Sequence, residues 1–580
     1  MADTKRSQRG SRGMGWPARK LGTPGRAFAP RRDRGTTRSL GIQQLESRIA
    51  FAIAPSLVAD LNTIPNSSYP TFGYQESTVG ATPSGLLFLA DDHVHGNELW
   101  ISNGTAAGTS LLKDANPGRG GVGLTATSPL FNGASYAIVN QQASDPWSPN
   151  ATQLWKTDGT AAGTVFVKEL SQSSASGGTF VTFSNALYFD LEGQVWKTDG
   201  TAAGTVPVGE VSSSTNGRFG FTSFGGAVIF CADTANGRGI YRTDGTDAGT
   251  VLVADGFDTE EFTVWNGKLY FSAYGDGSPR IYEMATPAST PVRAAFDDGS
   301  VFAEGYGLAA VGNRLFIEGA LVAGEYESHV FVTDGTASGT RSVTTAGGVL
   351  PGIYGSPRFT PAAGTLFFTA STPETGTELW RTQTVAGVET AVLVKDITPG
   401  TDDSIIDSLV ADGTRASFLV KGTYDAPTAP VLWETDGTTA GTKPATIVGG
   451  QQPTVLGLSP VAGGRIFAVA ADQTHGTELW ALDIVAPPGA PTALVAVPGA
   501  ASVALSWTAP ATGGRPITDY VIQYRRASVA TWSTFADGVS PATTATVIGL
   551  IGGANYLFRV VARNAVGDGA PSGQRSLTIG

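Results

Sequence analysis

Four histidines are the side chains of this sequence that could act as general bases or metal ligands near neutral pH. They are His93, His95, His329 and His475. His95 and His475 both precede a Gly-x-Glu-Leu-Trp sequence, which indicates a repeat feature in a loop and not part of a catalytic triad. The chain has no His-Glu-x-x-His, Gly-x-Ser-x-Gly or P-loop pattern. We therefore predict that it is not an enzyme, with no catalytic, cofactor-binding or metal-binding residues and no cofactor.

Asp-Gly-Thr segments could be interpreted as calcium loops or as tight turns. The aspartates concerned are Asp158, Asp199, Asp244, Asp334 and Asp436. Each loop offers one carboxylate, whereas Ca²⁺ takes 6 to 8 oxygen ligands, so we predict turns in which Asp accepts from its own following backbone. Asp91-Asp92 beside His93 is denser, and we interpret it as a solvated loop. Cys231, the one cysteine, excludes an internal disulfide and lies in an apolar run that predicts burial.

Composition favours many short strands. The 580 residues include 76 glycines, and only 15% are charged, which is typical of an all-β protein with tight turns. Residues 1–50 carry twelve Lys or Arg and three Asp or Glu. Because the whole chain has a net charge of -11, the remaining residues must be strongly acidic. An acidic folded region repels the phosphate backbone of nucleic acids, so we predict no nucleic-acid partner. No apolar run approaches the ~20 residues that span a bilayer, so we predict no transmembrane segment.

Residues 1–55 are expected to form a basic, disordered leader with a possible export signal. The segment Leu45-Glu46-Ser47-Arg48 resembles the LExR motif of exported proteins from planctomycete-type bacteria. That resemblance implies an extracellular or cell-envelope location. The alternative interpretation is an amphipathic helical turn that leads into the first strand.

One sequence unit recurs through the body of the chain. Gln-Leu-Trp-Lys-Thr-Asp-Gly-Thr-Ala-Ala-Gly-Thr at 153–164 returns at 194–205 and, altered, at 239–250, 329–340 and 431–442, with shorter copies from Glu98, Arg280, Glu378 and Glu478. Every copy carries an aromatic residue at one position: Trp100, Trp155, Trp196, Tyr241, Tyr282, Phe331, Trp380, Trp433 and Trp480. The spacing is that of four-stranded blades. We predict that these aromatics pack between units and do not form a sugar-stacking surface.

The two ends of the repeat region complement each other. A strand at 56–62 looks like the strand that follows each aromatic hairpin, and the last copy lacks that strand. Pairing of the first strand with the last unit predicts a closed β-propeller of seven to nine blades in preference to an open solenoid. Residues 56–484 resemble the ELWxxDGT repeat family. This resemblance implies bacterial extracellular proteins, with no shared enzymatic activity.

The pattern changes after a Pro-rich linker. Residues 485–580 predict an immunoglobulin-like β-sandwich, with alternating strands at 503–507, 520–525 and 556–562. Trp507, the segment Asn564-Ala565-Val566-Gly567 and the spacing from Leu550 to Tyr556 resemble a fibronectin type III domain. The resemblance implies a core tryptophan and a tyrosine corner. No Arg-Gly-Asp tripeptide occurs.

These observations favour a non-catalytic extracellular or cell-surface interaction or adhesion scaffold. We expect a monomer that binds a protein or polysaccharide partner. The alternative is a polysaccharide-active hydrolase or lyase on a propeller, which would require two carboxyls roughly 5 to 10 Å apart at one mouth of the ring. A purely structural envelope component is a third possibility.

Overall fold

The computed structural model describes residues 52–61, 80–82, 84–117, 121–141, 150–209, 211, 220–234, 237–259, 261–274, 278–354, 359–362, 364–412, 415–423, 425–445, 453–459, 465–485, 487–513 and 515–580. This part of the chain contains antiparallel strands and one 3-10 turn, Ala106–Gly108, and no α-helix. The all-β prediction is therefore confirmed. No helix in these ranges is long and apolar enough to cross a membrane.

Nine small sheets follow one another through the described repeat region, and we number them in chain order. Sheet 1 contains Gly80–Thr82, Gly85–Asp91, Asn97–Ser102 and Thr109–Lys113, and sheet 2 contains Val122–Thr127, Ser135–Gln141, Ala151–Thr157 and Val165–Ser171. Sheet 3 contains Gly177–Phe183, Ala186–Leu191, Gln194–Thr198 and Val206–Pro207. Sheet 4 contains Phe221–Phe224, Ala227–Thr234, Gly237–Thr243 and Val251–Asp255. In each sheet the four strands pair in sequence order.

The other five sheets repeat this arrangement. Sheet 5 contains Thr263–Trp265, Lys268–Tyr274, Pro279–Met284 and Val292–Arg293, and sheet 6 contains Glu304–Val311, Arg314–Ala320, Glu327–Thr333 and Arg341–Ser342. Sheet 7 contains Thr360–Ala362, Thr365–Thr372, Gly376–Val385 and Val388–Lys395. Sheet 8 contains Ile406–Asp412, Arg415–Gly422, Pro427–Thr435 and Lys443–Pro444. Ile353–Tyr354 adds to sheet 6. Sheet 9 contains Thr454–Leu458, Ile466–Asp472 and Gly476–Val485, and its fourth strand is Ala52–Leu57.

The recurring aromatic occupies the same place in all nine sheets. It lies on the third strand opposite a fixed position of the second strand, as Trp100 lies opposite Phe88 and Trp480 opposite Ala468. Six of the nine aromatics are buried: Trp100, Trp155, Tyr282, Phe331, Trp380 and Trp480. The other three, Trp196, Tyr241 and Trp433, are half-buried. The predicted packing role is confirmed.

Apolar clusters join each sheet to the next. Successive residues of a strand point to opposite faces, so Leu87 of sheet 1 packs toward Trp155 of sheet 2, while Phe88 packs toward Phe467 of sheet 9. Comparable clusters join every other consecutive pair of sheets. Cys231 is fully buried in the cluster between sheets 4 and 5, as predicted. The contacts therefore run in cyclic order from sheet 1 to sheet 9 and back to sheet 1.

Strand Ala52–Leu57 supplies the missing edge of the last repeat. Leu57 lies opposite Trp480, and the Val58 N-H donates to the carbonyl oxygen of Leu479 at 3.0 Å. The predicted pairing is confirmed, although the strand begins at Ala52, four residues before the expected start. Residue 62 lies outside the described ranges.

Loop contacts link sheet 9 to sheet 1, where the two ends of the repeat region meet, as they link other neighbouring sheets. Arg465 Nη1 of sheet 9 donates to the Asn103 carbonyl, in the loop after the third strand of sheet 1, at 2.9 Å. Lys156 Nζ of sheet 2 donates to a carbonyl oxygen in the equivalent loop of sheet 3, that of Gly200, at 3.1 Å. The junction of sheets 9 and 1 is thus held like an ordinary pair of neighbours.

The C-terminal residues form two sheets around one core. The first contains Thr492–Gly499, Ser502–Thr508 and Thr544–Ile548, and the second contains Asp519–Arg526, Ser533–Thr534, Asn555–Asn564, Gly567–Pro571 and Arg575–Thr578. Trp507 and Tyr556 are buried in that core with Leu550. The Ile551 N-H donates to the Tyr556 hydroxyl at 3.4 Å. The predicted strands and core tryptophan are confirmed.

Candidate functional site

A cavity of about 330 Å³ lies between sheets 5 and 6. Sheet 5 contributes Tyr274 from the end of its second strand, and sheet 6 contributes Tyr306 and Glu318 from its first and second strands. Glu261, in the segment that enters sheet 5, completes the acidic side. The cavity therefore combines aromatic and carboxylate side chains from separate elements.

Glu318 occupies a repeat position that is apolar in most sheets. The corresponding residues include Leu89, Ile138, Leu419 and Val469. The Glu318 side chain is only 9% exposed, and its Oε1 accepts from the Ser328 hydroxyl at 2.6 Å. Burial raises the pKa of Glu318 to about 7; the hydrogen bonds from Ser328 and the Gly307 backbone oppose the rise, and the charge of Glu261 adds to it.

A bulge in the first strand of sheet 6 explains part of the role of Glu318. The pairing of that strand shifts between Gly305 and Leu308, and the intervening Gly307 N-H bonds to Glu318. Asp190 does the same in sheet 3, accepting from the N-H groups of Gly178 at 3.1 Å and Thr179 at 2.7 Å. A carboxylate at this position thus satisfies backbone groups that the bulge removes from the ladder. Glu318 differs because it also lines the cavity.

Two tyrosines form the aromatic side of the cavity. The Tyr306 hydroxyl donates to Glu304 Oε2 at 2.5 Å. Burial, then that bond, and then the charges of Glu304, Tyr274 and Glu318 raise the pKa of Tyr306. The Tyr274 side chain is 59% exposed, so it lies at the rim. Tyr306 remains a neutral phenol whose proton is committed to Glu304.

The described lining contains carboxylates and no Lys, Arg or His side chain. Glu261 and Glu318 line the space directly, and Glu304 stands behind Tyr306. Such a field repels anions and attracts cations or strong hydrogen-bond donors. Phosphate and carboxylate ligands are therefore disfavoured here.

His95, His329 and His475 do not line this cavity, and each contacts a loop instead. His95 Nδ1 lies 2.7 Å from Asp92 Oδ2, and His475 Nδ1 lies 2.8 Å from Asp472 Oδ2, in equivalent turns between second and third strands. His329 Nδ1 lies 3.0 Å from the carbonyl oxygen of Pro351. The prediction that His95 and His475 are repeat features in loops is confirmed. In the described ranges no group of three His, Cys, Asp or Glu side chains could hold a metal ion.

The turn at Asp91-Asp92 is more structured than predicted. Asp91 Oδ1 accepts from the His93 N-H at 2.7 Å, and Asp92 Oδ1 accepts from the His95 N-H at 2.8 Å. Hydrogen bonds from His95 and Val94 lower the pKa of Asp92 against the opposing effect of burial. The two carboxylates therefore shape a turn and are not simply solvated.

The Asp-Gly-Thr loops share one hydrogen-bond network. Asp158 Oδ1 accepts from the Thr160 N-H at 2.9 Å and from its hydroxyl at 2.7 Å. Thr160 Oγ1 in turn accepts from the Gly163 N-H at 3.0 Å. The same bonds form at Asp199, Asp244, Asp334 and Asp436, and Asn103 replaces the aspartate in sheet 1. The predicted turn role is confirmed.

Three buried glutamates were not foreseen from the sequence. Glu98, Glu378 and Glu478, from the Glu-Leu-Trp segments, are 0% exposed. Glu98 Oε2 accepts from the Ala115 N-H at 2.7 Å, and Glu378 Oε1 accepts from the Ser404 hydroxyl at 2.7 Å. The carboxyls of Glu98 and Glu378 fasten the chain that leaves the fourth strand of their sheets. Their recurrence before Leu-Trp was the available signal.

Stability is expected to fall as the pH rises through the titration of Glu378. Burial raises the pKa of Glu378 from 4.5 to about 7, so the folded chain binds more protons than the unfolded chain between those values, and the free energy of unfolding decreases with pH there. Glu378→Gln removes this titration and keeps the Oε1 acceptor. Unfolding free energies are measured in urea at pH 5 and at pH 8. From the lower to the higher pH, the free energy of unfolding of the variant should rise relative to that of the wild type by on the order of 1–3 kcal/mol. Glu374→Gln, at an exposed position, is the matched control. If the unfolding free energies of Glu378→Gln and wild type changed with pH in parallel, the raised pKa of Glu378 would be contradicted.

Comparison with known proteins identifies the C-terminal module. The family model "Fibronectin type III domain" matches residues 489–578, which confirms the resemblance. Protein sidekick-2 of Mus musculus is 27% identical over 172 residues, covering 28% of this chain and 8% of the relative. Protein turtle of Drosophila melanogaster is 37% identical over 86 residues, covering 15% and 6%. The solved structure "Titin kinase and its flanking domains" is 32% identical over 16% of this chain and 17% of that chain, with a TM-score of 0.15.

The chain thus spans less than a tenth of the length of these two curated relatives. The assignment of the C-terminal module rests on the family model, and the likeness to these relatives does not extend to the activity of the whole relatives. The resemblance of residues 56–484 to the ELWxxDGT repeat family, and of the leader to exported bacterial proteins, stays a prediction. Leu45 to Arg48 lie outside the described residues.

Proposed function

We propose that this chain is a non-catalytic extracellular scaffold that binds a protein or polysaccharide partner at the cell surface. In this proposal an export leader ends before strand Ala52–Leu57, residues 52–485 form a nine-bladed ELWxxDGT propeller, and residues 486–580 form the fibronectin type III module. The chain acts as a monomer, which light scattering of the purified protein tests. The scaffold displays binding surfaces and performs no turnover.

The cyclic order of contacts is the observation that carries the scaffold proposal. Strand Ala52–Leu57 pairs with the last repeat, and the cluster containing Phe88 and Phe467 joins sheet 9 to sheet 1. A closed ring leaves no terminal sheet with an uncovered apolar face or an unpaired inner edge. This arrangement supports a rigid propeller, and the fibronectin type III match supports an interaction module beside it.

The polar groups that recur from sheet to sheet also support a structural role. The carboxylates of the Asp-Gly-Thr loops bind their own turn, as Asp158 binds Thr160, and His95 binds Asp92. Groups fixed in this way stabilise loops in most of the repeats and do not converge on one reaction centre. Fold alone would not decide function.

A polysaccharide-active enzyme is the second candidate, because the cavity between sheets 5 and 6 contains two carboxyl side chains. Glu318 has a raised pKa, as a general acid requires, and Glu261 lines the same space. In this alternative Glu318 would protonate a glycosidic oxygen and Glu261 would act as base or nucleophile.

One set of measurements distinguishes the two candidates. Full-length protein is tested against immobilised polysaccharides for saturable binding and for release of reducing ends or unsaturated products. We expect binding without product. Product that accumulates with wild type and disappears with Glu318→Gln would overturn the scaffold proposal. Fractionation of the producing cells should place the chain in the medium or on the surface, and recovery only from the cytoplasm would contradict the extracellular proposal.

A further inference from the structure

We propose that the cavity between sheets 5 and 6 binds an amino sugar through its protonated amine, an inference that rests on the proposed binding function and names the chemistry of its ligand. Glu261 and Glu318 face the ammonium group, and Tyr274 and Tyr306 face the sugar ring. The site lies within the repeat region and is separate from the fibronectin type III module.

Three hydroxyl groups of this cavity donate to protein acceptors and not to a ligand. Tyr306 donates to Glu304 at 2.5 Å, Ser272 donates to the Gly305 carbonyl at 2.6 Å, and the Thr259 hydroxyl donates to the Glu261 carbonyl at 3.1 Å. The carboxylates are acceptors when ionised. The two carboxylates and these three hydroxyls therefore offer lone pairs to a ligand, and an ammonium group, with three N-H donors and no acceptor, is the complementary partner.

Charge supports the same choice. The described lining contains Glu261 and Glu318 and no cationic side chain, so an ammonium ion gains electrostatic energy that a neutral hydroxyl does not. Glu318 is nine-tenths buried, and a charge pair that is shielded from water is stronger than one at an open surface. A cation here also offsets the cost of ionising that buried carboxyl.

The shape favours a ring over a flexible chain. The volume of about 330 Å³ lies at the lower end of the range for small-molecule sites, which suits one compact residue. Tyr274 at the rim and Tyr306 inside offer aromatic surface, with Leu308 beside them. Aromatic faces pack well against the C-H faces of a sugar ring. A lysine side chain would leave much of this surface unused.

Calorimetry with the full-length protein at pH 6.5 tests the proposal with glucosamine, N-acetylglucosamine, glucose and Nα-acetyl-lysine methylamide as probes. We expect saturable binding of glucosamine, at least tenfold tighter than that of the two neutral sugars or of the lysine probe. Binding should release a fraction of one proton, seen as a dependence of the heat on the buffer, because a cation favours the ionised form of Glu318 and the pKa of that carboxyl is raised to about 7.

Variants locate the site. Glu318→Gln should weaken glucosamine binding at least tenfold and abolish proton release, and Tyr274→Ala, at an exposed rim position, should weaken it several-fold. Asp190→Asn is the matched control, because Asp190 binds the equivalent bulge in sheet 3 and does not line the cavity. Melting curves establish that each variant folds.

Four outcomes would overturn the inference: equal affinity for glucosamine and the neutral sugars, tighter binding of the lysine probe, an equal loss with Asp190→Asn, and no glucosamine binding. If the full chain still binds polysaccharide without turnover in the panel described above, the proposed function stands and only this site assignment fails.

Discussion

Replacing Trp480 by alanine is expected to lower the free energy of unfolding by about 3–5 kcal/mol. Trp480 is 0% exposed and packs in the cluster that joins sheets 8 and 9. Its strand lies between the strand of Ala468 and the strand of Leu57. Truncation of this indole therefore leaves a cavity where the two ends of the repeat region meet, and neighbouring strands can close such a cavity only in part.

The measurement is urea unfolding followed by far-ultraviolet circular dichroism, which does not depend on the deleted fluorophore. Trp196→Ala is the matched control, because Trp196 has the equivalent place in sheet 3 and is only half-buried. We expect the control to cost clearly less. A loss below about 1 kcal/mol for Trp480→Ala, or equal losses for the two variants, would show that burial at this position does not hold the repeats together.

A disulfide between positions 55 and 482 is expected to form and to raise the unfolding free energy of the double variant by on the order of 4 kcal/mol relative to its reduced form. Pro55 lies opposite Leu482. The bond from Val58 to Leu479 makes that pair hydrogen-bonded, and the alternation of antiparallel pairs makes positions 55 and 482 a closely spaced pair, about 4.5 Å between Cα atoms. That distance permits a disulfide, and the link closes nearly the whole repeat region.

The double variant P55C/L482C is oxidised mildly and examined by non-reducing electrophoresis and by urea unfolding with and without reductant. The two variants that carry only one of the substitutions are the controls, because the buried Cys231 is present in every form. A faster-migrating monomer with a higher unfolding midpoint, both reversed by reductant, is the expected result. Failure to form the intramolecular link would contradict the pairing of the chain ends and with it the propeller proposal.

Much of the architecture could be predicted because the repeat is a local signal. Each unit repeats two apolar strands whose successive residues face the two neighbouring sheets. Five of the units follow the aromatic strand with an Asp-Gly turn. Sheet 7 shows that the turn can change while the sheet persists. There Ala386 and Gly387, both with positive φ, form a two-residue turn, and Trp380 keeps its place opposite Phe368.

The candidate site was less accessible to sequence reasoning. Tyr274, Tyr306 and Glu261 occupy positions that belong to no repeated pattern, and a cavity is defined by the space that two sheets leave unfilled. That space depends on side-chain packing between distant segments, which periodicity does not encode. Glu318 was the exception, because a carboxylate stands where four other repeats carry Leu, Ile or Val.

The fourth strand of sheet 9 also sets an order of events during synthesis. Sheets 1 to 8 each consist of strands from one contiguous stretch of chain, and each can pair soon after it leaves the ribosome. Residues 52–57 are made before all of them, and their partner strand Gly476–Val485 is made after them. At 5–20 residues per second the early strand waits for roughly tens of seconds with an open edge, so a cell that makes this protein has to shield that edge or keep the chain unfolded until its last repeat has emerged.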